Sequence, residues 1–139
     1  MGSNLYRHTL DDKARLMVPI SFRSMVGDSI ALTKGIREKC LFLFSISEWE
    51  KIKESIKSSA KLTDPNARRF ERHLVGSSFE GTLDKQGRIV LPNELREYAN
   101  ITKDVVITAL TSRIEIWDSA SWDEEMSFFD PDAGVTIDI

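Results

Sequence analysis

An acidic residue is followed four positions later by an arginine at two places in this chain, each time with a lysine between them. The two sets are Asp11, Lys13 and Arg15, and Asp84, Lys85 and Arg88. An arginine guanidinium can donate two parallel hydrogen bonds to O6 and N7 of guanine, whereas lysine meets phosphate as a point charge. The carboxylate can orient the arginine by a charge-assisted bond, or it can cap a turn by accepting backbone N–H groups.

The residues around the second set predict the elements that position it. Gly87 tolerates a positive φ and follows polar residues, which is typical of a turn. The apolar run Ile89-Val90-Leu91 comes next and predicts a buried strand, since two of its residues are β-branched. Pro92 then stands at a favoured first position of a helix. The charged residues are therefore expected in a turn that leads into a strand.

The same unit occurs earlier in the chain, at a constant offset of 73 residues and without a gap. The identical pairs are Leu10 and Leu83, Asp11 and Asp84, Arg15 and Arg88, Pro19 and Pro92, Arg23 and Arg96, and Trp49 and Trp122. This agreement indicates an internal duplication. Because a repeat of about 60 residues would be marginally stable alone, we expect the two copies to share one core.

The order of predicted elements in each repeat is β-β-α-β-β-α. We predict an α+β, mainly β fold in which the two repeats interleave into one small barrel with flanking helices, because closure removes exposed strand edges. Ser47 and Ser119 are predicted to cap the helix that ends each repeat. The predicted segments are a first repeat at 4–60, a connector helix at 61–76, a second repeat at 77–129 and an acidic tail at 130–139.

Charge is unevenly distributed along the 139 residues. Residues 1–99 hold 17 Lys and Arg against 13 Asp and Glu, a net charge of +4, whereas residues 100–139 hold 2 against 9, a net charge of −7. A basic face meeting an anionic partner is compatible with this asymmetry. The connector arginines Arg68, Arg69 and Arg72 could serve the same partner, but a solvated helix face or a subunit contact is the preferred interpretation.

Composition favours a cytoplasmic protein. The single cysteine, Cys40, excludes an intrachain disulfide and fits a reducing compartment. It precedes the apolar run Leu41-Phe42-Leu43-Phe44, so we interpret it as a small core residue in preference to a reactive thiol. No apolar run is long enough to span a bilayer, and the short polar start shows no secretory signal.

The residue types do not assemble a catalytic set. His8 and His73 are isolated, with no second histidine or acid at zinc-ligand spacing. No glycine-rich loop that could cradle a phosphate is present. We therefore expect no enzyme, no cofactor, no metal and no small-molecule substrate.

These motifs resemble a known family. The run D-K-Q-G-R-I-V-L-P-N-E-L-R is similar to the signature of swapped-hairpin barrels of the AbrB type, and the whole chain resembles the MraZ family, which joins two such repeats. The likeness extends from Asn4 to Met126 and includes a tryptophan-containing helix at the end of each repeat. It implies an AbrB/MraZ-like barrel with the hairpin residues at its binding surface.

The resemblance also implies a function. Members are bacterial transcriptional regulators, found at the nucleoid, that form homo-oligomeric rings and bind direct G-rich repeats upstream of the division and cell-wall gene cluster, usually repressing it and their own gene. Double-stranded DNA is thus the expected partner, beside other copies of the chain, and no membrane is expected. The implied DNA-binding residues are Arg15, Lys13, Asp11, Arg7, Arg88 and Lys85. One departure stands out: Ala14 replaces the usual glycine, so a positive φ there would strain the first loop by about 1 kcal/mol.

Several alternatives remain open at the level of sequence. Asp11 and Asp84 could be turn residues only, and Arg88 could form a structural ion pair or a subunit contact. The acidic C-terminal segment suggests an antitoxin-like module that binds a protein partner. A third hypothesis is an assembly scaffold that binds any DNA duplex through phosphate contacts alone.

Overall fold

The fold is described here from a computed structural model that covers residues 2–59, 63–135 and 137. The strands are β1 (Leu5–Thr9), β2 (Arg15–Met17), β3 (Ser29–Lys34), β4 (Leu41–Ser45), β5 (Phe79–Thr82), β6 (Arg88–Val90), β7 (Asp104–Ala109) and β8 (Ile114–Asp118). The helices are α1 (Ile20–Val26), α2 (Ile46–Ser59), α3 (Pro65–Leu74), α4 (Asn93–Tyr98) and α5 (Ser119–Met126). The predicted β-β-α-β-β-α order occurs in both repeats.

The two repeats exchange their first strands. An antiparallel six-stranded sheet runs in the order β1-β7-β8-β4-β3-β5, so that β1 of the first repeat pairs with β7 of the second, and β5 pairs with β3. Strands β4 and β8 join the two halves at the centre. The remaining strands, β2 and β6, pair with each other as a two-stranded antiparallel ribbon. The chain is therefore an α+β, swapped-hairpin barrel built from interleaved repeats, as predicted.

One apolar core holds the ribbon against the sheet. Leu16 and Ile89 face each other across the ribbon and are buried with Phe22 of α1 and Leu95 of α4. Val90, on the other side of the ribbon, is 51% exposed. Since successive side chains of a strand alternate between faces, the residues on either side of Leu16 and Ile89 point away from this core.

A second apolar cluster covers the opposite face of the sheet. Trp49 of α2 is fully buried and stacks on Phe44, with ring centroids 5.9 Å apart. Trp122 of α5 packs edge-on against Trp117 of β8 at 5.8 Å. Both repeat-terminal tryptophans thus contribute to packing, and the buried Cys40 belongs to the same cluster.

The predicted helix caps are wrong by one or two residues. Ser45, not Ser47, caps α2, and its Oγ accepts a hydrogen bond from the N–H of Glu48 at 3.1 Å. Asp118, not Ser119, caps α5 by accepting from the N–H of Ser121 at 3.1 Å. The reason is that each helix begins directly after a strand, so the last strand residue becomes the cap.

The boundaries of the predicted segments stay predictions. Helix α3 occupies most of the connector, but the junction of the first repeat and the connector at residues 60–62 lies outside the described residues, as do 136, 138 and 139 of the tail. Residues 130–135 are exposed. Within the part of the chain that the structure describes, no helix has the length and apolar character needed to cross a membrane.

Candidate nucleic-acid interface on the paired hairpins

Two turns from different repeats flank the ribbon of β2 and β6. Arg15 pairs with Val90, and Met17 pairs with Arg88. Backbone bonds continue the pairing into each turn, because Leu91 N–H donates to the Ala14 carbonyl and Val18 N–H to the Gly87 carbonyl, both at 2.9 Å. Arg15 and Arg88 consequently project from the same outer face of the ribbon, one beside each turn.

Asp11 organises the first turn. Its Oδ1 accepts hydrogen bonds from the backbone N–H groups of Lys13 and Arg15, both at 2.9 Å. Its Oδ2 accepts from Arg15 Nε at 2.6 Å. Asp11 therefore caps the turn and orients the arginine at once. The backbone N–H of Arg15, helped by its guanidinium, lowers the pKa of the Asp11 carboxyl below its ordinary value.

Asp84 repeats this arrangement in the second turn. Its Oδ1 accepts from the backbone N–H groups of Gln86 and Arg88 at 2.9 Å, and its Oδ2 accepts from Arg88 Nε at 2.9 Å. The backbone N–H of Arg88, together with its guanidinium, likewise lowers the pKa of the Asp84 carboxyl. Both carboxylates thus favour the ionised state, in which they accept hydrogen bonds.

The bonds to the carboxylates leave one edge of each guanidinium available. Both arginines use Nε for the aspartate of their own turn. Across the described residues, neither Arg15 Nη1 nor Nη2 donates a hydrogen bond to another group of the chain. Arg88 Nη1 lies 3.9 Å from Asp11 Oδ2, a second and longer ion pair. The side chains of Arg15 and Arg88 are 27% and 26% exposed, so each arginine is held by the aspartate of its turn and still reaches solvent in part.

Comparison with known proteins identifies the family. A family model described as "MraZ protein, putative antitoxin-like" matches residues 1–73 and again residues 74–134. The chain belongs to the MraZ family. A protein named transcriptional regulator MraZ from Caldanaerobacter subterraneus subsp. tengcongensis is 43% identical over 119 residues, which is 86% of this chain and 82% of that protein.

Other relatives carry the same name. The protein from Thermoanaerobacter pseudethanolicus is also 43% identical over 119 residues, with the same shares of both chains. That from Desulfitobacterium hafniense is 44% identical over 117 residues, covering 84% of this chain and 80% of the relative. The match therefore spans both hairpins and nearly the whole barrel.

The lysines of this MraZ-family chain lie at the tips of the turns. Lys13 and Lys85 are both exposed. In the described portion of the chain, neither ammonium group forms an ion pair. They do not occupy equivalent positions, since Lys13 corresponds to Gln86 and Lys85 to Asp12. The second turn consequently carries more positive charge than the first.

Arg7 is not brought to the hairpins. It lies on β1, on the face that carries α5, where Nη2 pairs with Asp123 Oδ1 and Nη1 donates to Ser119 Oγ, both at 2.9 Å. Strand alternation explains this position, because Arg7 shares a face with Leu5, which packs in the second apolar cluster. Of the six residues expected at the interface, the structure gathers Asp11, Lys13, Arg15, Lys85 and Arg88.

Arg23 contacts the second turn and was not among the expected residues. From α1, its Nε donates to the Val18 carbonyl and its Nη2 to the Gln86 carbonyl, both at 2.9 Å. Its guanidinium covers Gly87, which has a φ of 79°. The identity of Arg23 and Arg96 at the 73-residue offset was the signal that could have revealed it.

The expected strain at Ala14 is confirmed, since its φ is 56°, in the left-handed region that favours glycine.

Among the described residues, no group of three or more His, Cys, Asp and Glu side chains is arranged to hold a metal ion.

Proposed function

We propose that this chain is a sequence-specific DNA-binding transcriptional regulator that reads DNA with the hairpin ribbon. The observation that carries the proposal is the paired Asp–Arg geometry, in which an aspartate holds Nε of each arginine and, among the described residues, the terminal nitrogens of Arg15 donate no hydrogen bond within the chain. A two-stranded ribbon fits the major groove. The names of the relatives, all transcriptional regulators, support the same function.

Arg15 is the proposed base reader. Its two terminal nitrogens can donate to O6 and N7 of one guanine, a contact that contributes roughly 1–3 kcal/mol of discrimination. The fixed Nε bond lowers the entropy lost when the side chain meets a base. Arg88 is oriented in the same way but also faces Asp11, so its cationic charge is shared between two carboxylates. We therefore assign Arg15 the larger part of the specificity.

Lys13 and Lys85 are the proposed phosphate contacts. Exposed ammonium groups at the turn tips add affinity through counterion release, without sequence information. Removing either lysine should reduce the salt dependence of binding and leave the preferred sequence unchanged. Arg7 could join them only by giving up its ion pair with Asp123, so we place it outside the proposed contact surface.

A ring oligomer would bring several hairpins to neighbouring G-rich boxes. Linked weak contacts gain from effective concentration when their spacing matches the helical repeat of DNA. Two exposed features support self-association. Phe128 and Phe129, after α5, are 67% and 77% exposed, in a segment 118–135 with six acidic and no basic residues.

The second feature is an apolar groove of about 630 Å³ between α2, α3 and the sheet. Its apolar lining includes Phe42, Phe44, Ile52, Ile56 and Phe70. Its charged lining consists of Arg37, Lys51 and Arg113 beside Glu38 and Glu48, so basic groups outnumber acidic ones by one. We propose that the acidic aromatic segment of one copy enters the groove of the next. Such a head-to-tail contact forms a ring when its rotation closes. Light scattering should then show a smaller species for a Phe128→Ser, Phe129→Ser variant, and an unchanged mass would contradict this contact.

The targets follow from the family alone. Direct G-rich repeats upstream of the division and cell-wall gene cluster are the proposed operator, and repression, including that of the chain's own gene, is the proposed effect. A protein with this role acts in the cytoplasm at the nucleoid.

A protein-binding role is the second candidate. The acidic α5 and the residues after it favour a basic protein partner, and the matching family is itself described as antitoxin-like. Such a role does not require Arg15. An Arg15→Ala variant that keeps full activity in the cell would therefore favour it.

Duplex binding at near-physiological salt tests the DNA-binding proposal. The probe carries direct G-rich boxes one helical turn apart, and the comparison probe shifts one box by half a turn. Wild type should prefer the in-phase probe, Arg15→Ala should lose the preference, and Arg88→Ala should lose less of it. Lys57→Ala, which removes an exposed charge on α2, is the matched control and should behave as wild type. Equal binding of both probes by all variants would contradict base readout.

A further inference from the structure

Arg23 and Arg96 occupy equivalent positions in the two repeats, on the helix after each ribbon strand, but their hydrogen-bond partners differ. Arg23 Nε donates to the Val18 carbonyl, and Arg96 Nε donates to the Leu91 carbonyl at 3.1 Å, the matching atom 73 residues later. The terminal nitrogens then differ. Arg23 Nη2 donates to the Gln86 carbonyl of the second turn and to Met17 Sδ at 3.1 Å, whereas Arg96 Nη2 donates to Asn93 Oδ1 at 3.2 Å.

Ala14 explains this difference. A Cβ built on Gly87 would lie 2.0 Å from Arg23 Cζ, so the contact requires glycine at that position. The first turn has a real Cβ at the corresponding place, on Ala14. Arg96 could not adopt the geometry of Arg23 without striking it. In the described residues, Arg96 accordingly donates no hydrogen bond to the first turn.

Position 20 provides the second half of the asymmetry. Ile20 is the counterpart of Asn93 and has no side-chain acceptor, so Arg23 lacks the partner that Asn93 gives Arg96. Arg96 finds one in Asn93. The backbone and carboxylate bonds inside the two turns are otherwise the same, which leaves the arginine contact as the difference between them.

We propose that Arg23 is a positioning residue that clamps the second hairpin, and that Ala14 removes the equivalent clamp from the first hairpin. The first hairpin, which carries Arg15, is then the more mobile of the two. The second hairpin is held in one conformation before it meets DNA. The inference rests on the proposed function only for its effect on DNA binding. The clamp itself has a readout without DNA.

Hydrogen exchange of the full chain, measured by mass spectrometry on peptides covering 11–15 and 84–88, tests the clamp. After correction for intrinsic exchange, the first turn should exchange roughly tenfold faster than the second. The reason is that one hydrogen bond from a charged donor shifts a local opening equilibrium by about tenfold or more. Arg23→Lys should raise exchange in the second turn and leave β7 unchanged. Equal protection of the two turns in wild type would overturn the proposal.

A double-mutant cycle separates positioning from general stability. Ala14→Gly should slow exchange in the first turn, because Arg96 can then reach the Lys13 carbonyl. Arg96→Lys alone should leave that turn unchanged, yet it should abolish the slowing when combined with Ala14→Gly. Slowing that persists without Arg96 would reflect backbone relief alone and would overturn the clamp. The cycle remains decisive even if Arg23→Lys loosens the whole chain.

The same variants connect the clamp to DNA. Ala14→Gly should tighten binding to the in-phase probe several-fold, because less ordering is required on binding, and Arg96→Lys should cancel the gain. If wild type binds no duplex while the exchange cycle holds, the proposed function fails and the clamp stands. If wild type binds specifically but the cycle shows no coupling, the clamp fails and the function stands.

Discussion

Asp11 Oδ2 lies 2.6 Å from Arg15 Nε and 3.9 Å from Arg88 Nη1, so one carboxylate faces arginines of both repeats. The ribbon pairing creates this relationship, because β2 and β6 run antiparallel with Arg15 and Arg88 on the same face. The two turns therefore form one charged surface. Its geometry depends on the ionised state of the aspartates.

The stability of the turns should depend on pH in the acidic range. Hydrogen bonds to Asp11 and Asp84 lower both pKa values in the folded state. Their contribution is thus present above the unfolded value of about 3.9 and is lost as the pH falls through the lower folded values. We expect the unfolding midpoints of wild type and Asp84→Asn to converge as the pH drops below about 4. A difference that stays constant from neutral to acidic pH would contradict this prediction.

Exchanging the residues at positions 14 and 87 should have unequal effects. Gly87→Ala introduces a Cβ at a φ of 79° and displaces Arg23, so the free energy of unfolding should fall by about 2 kcal/mol or more. Ala14→Gly relieves strain at a φ of 56° and lets Arg96 exchange its bond to Asn93 for one to the first turn. It also adds freedom to the unfolded chain, so the net change should stay below about 1 kcal/mol. Urea unfolding measures both, and changes of equal size and opposite sign would show that backbone conformation alone decides.

The sequence was sufficient to predict the architecture because the informative signals are local. Gly87 and Pro92 mark the turn and the helix start, and the offset of 73 residues transfers the same reading to the first repeat. Apolar runs such as residues 41–44 indicate strands without knowledge of their partners. Interleaving followed from the need to cover strand edges.

The contacts that position the site are non-local, and local patterns do not determine them. Nothing near Arg7 in the sequence indicates that α5 would lie against β1 and supply Asp123. The reach of Arg23 to Gln86 joins residues 63 positions apart. The helix caps were predicted one or two residues too late for a simpler reason. Ser45 and Asp118 each end a strand and directly precede a helix.

Cys40 should resist thiol reagents in the folded protein. Burial raises the pKa of its thiol, and the thiolate is the reactive form. Labelling with a maleimide or a disulfide reagent should therefore be slow under native conditions and fast in urea, with a rate that follows global unfolding. Rapid labelling of the native chain would mean that the cluster under α2 opens locally.

Glu115 is a charged residue in a buried environment. It is 5% exposed on β8, opposite Phe42 of β4 at the junction of the two repeats. Its carboxylate accepts from Trp117 Nε1 at 2.9 Å and from Arg113, whose Nη2 is 2.7 Å away. The Arg113 guanidinium also covers the Phe42 ring at 4.9 Å.

Removing Arg113 should leave a buried carboxylate without its counter-ion. A fully buried pair broken in this way costs about 3–5 kcal/mol, and the partial exposure of Arg113 reduces the expected loss to about 2–3 kcal/mol for Arg113→Ala. The double variant Arg113→Ala, Glu115→Gln should recover part of that loss, because the glutamine is neutral and still accepts from Trp117 Nε1. Urea unfolding of the two variants decides. If the double variant is less stable than Arg113→Ala alone, the uncompensated charge is not the cause, and loss of Arg113 packing on Phe42 accounts for the effect.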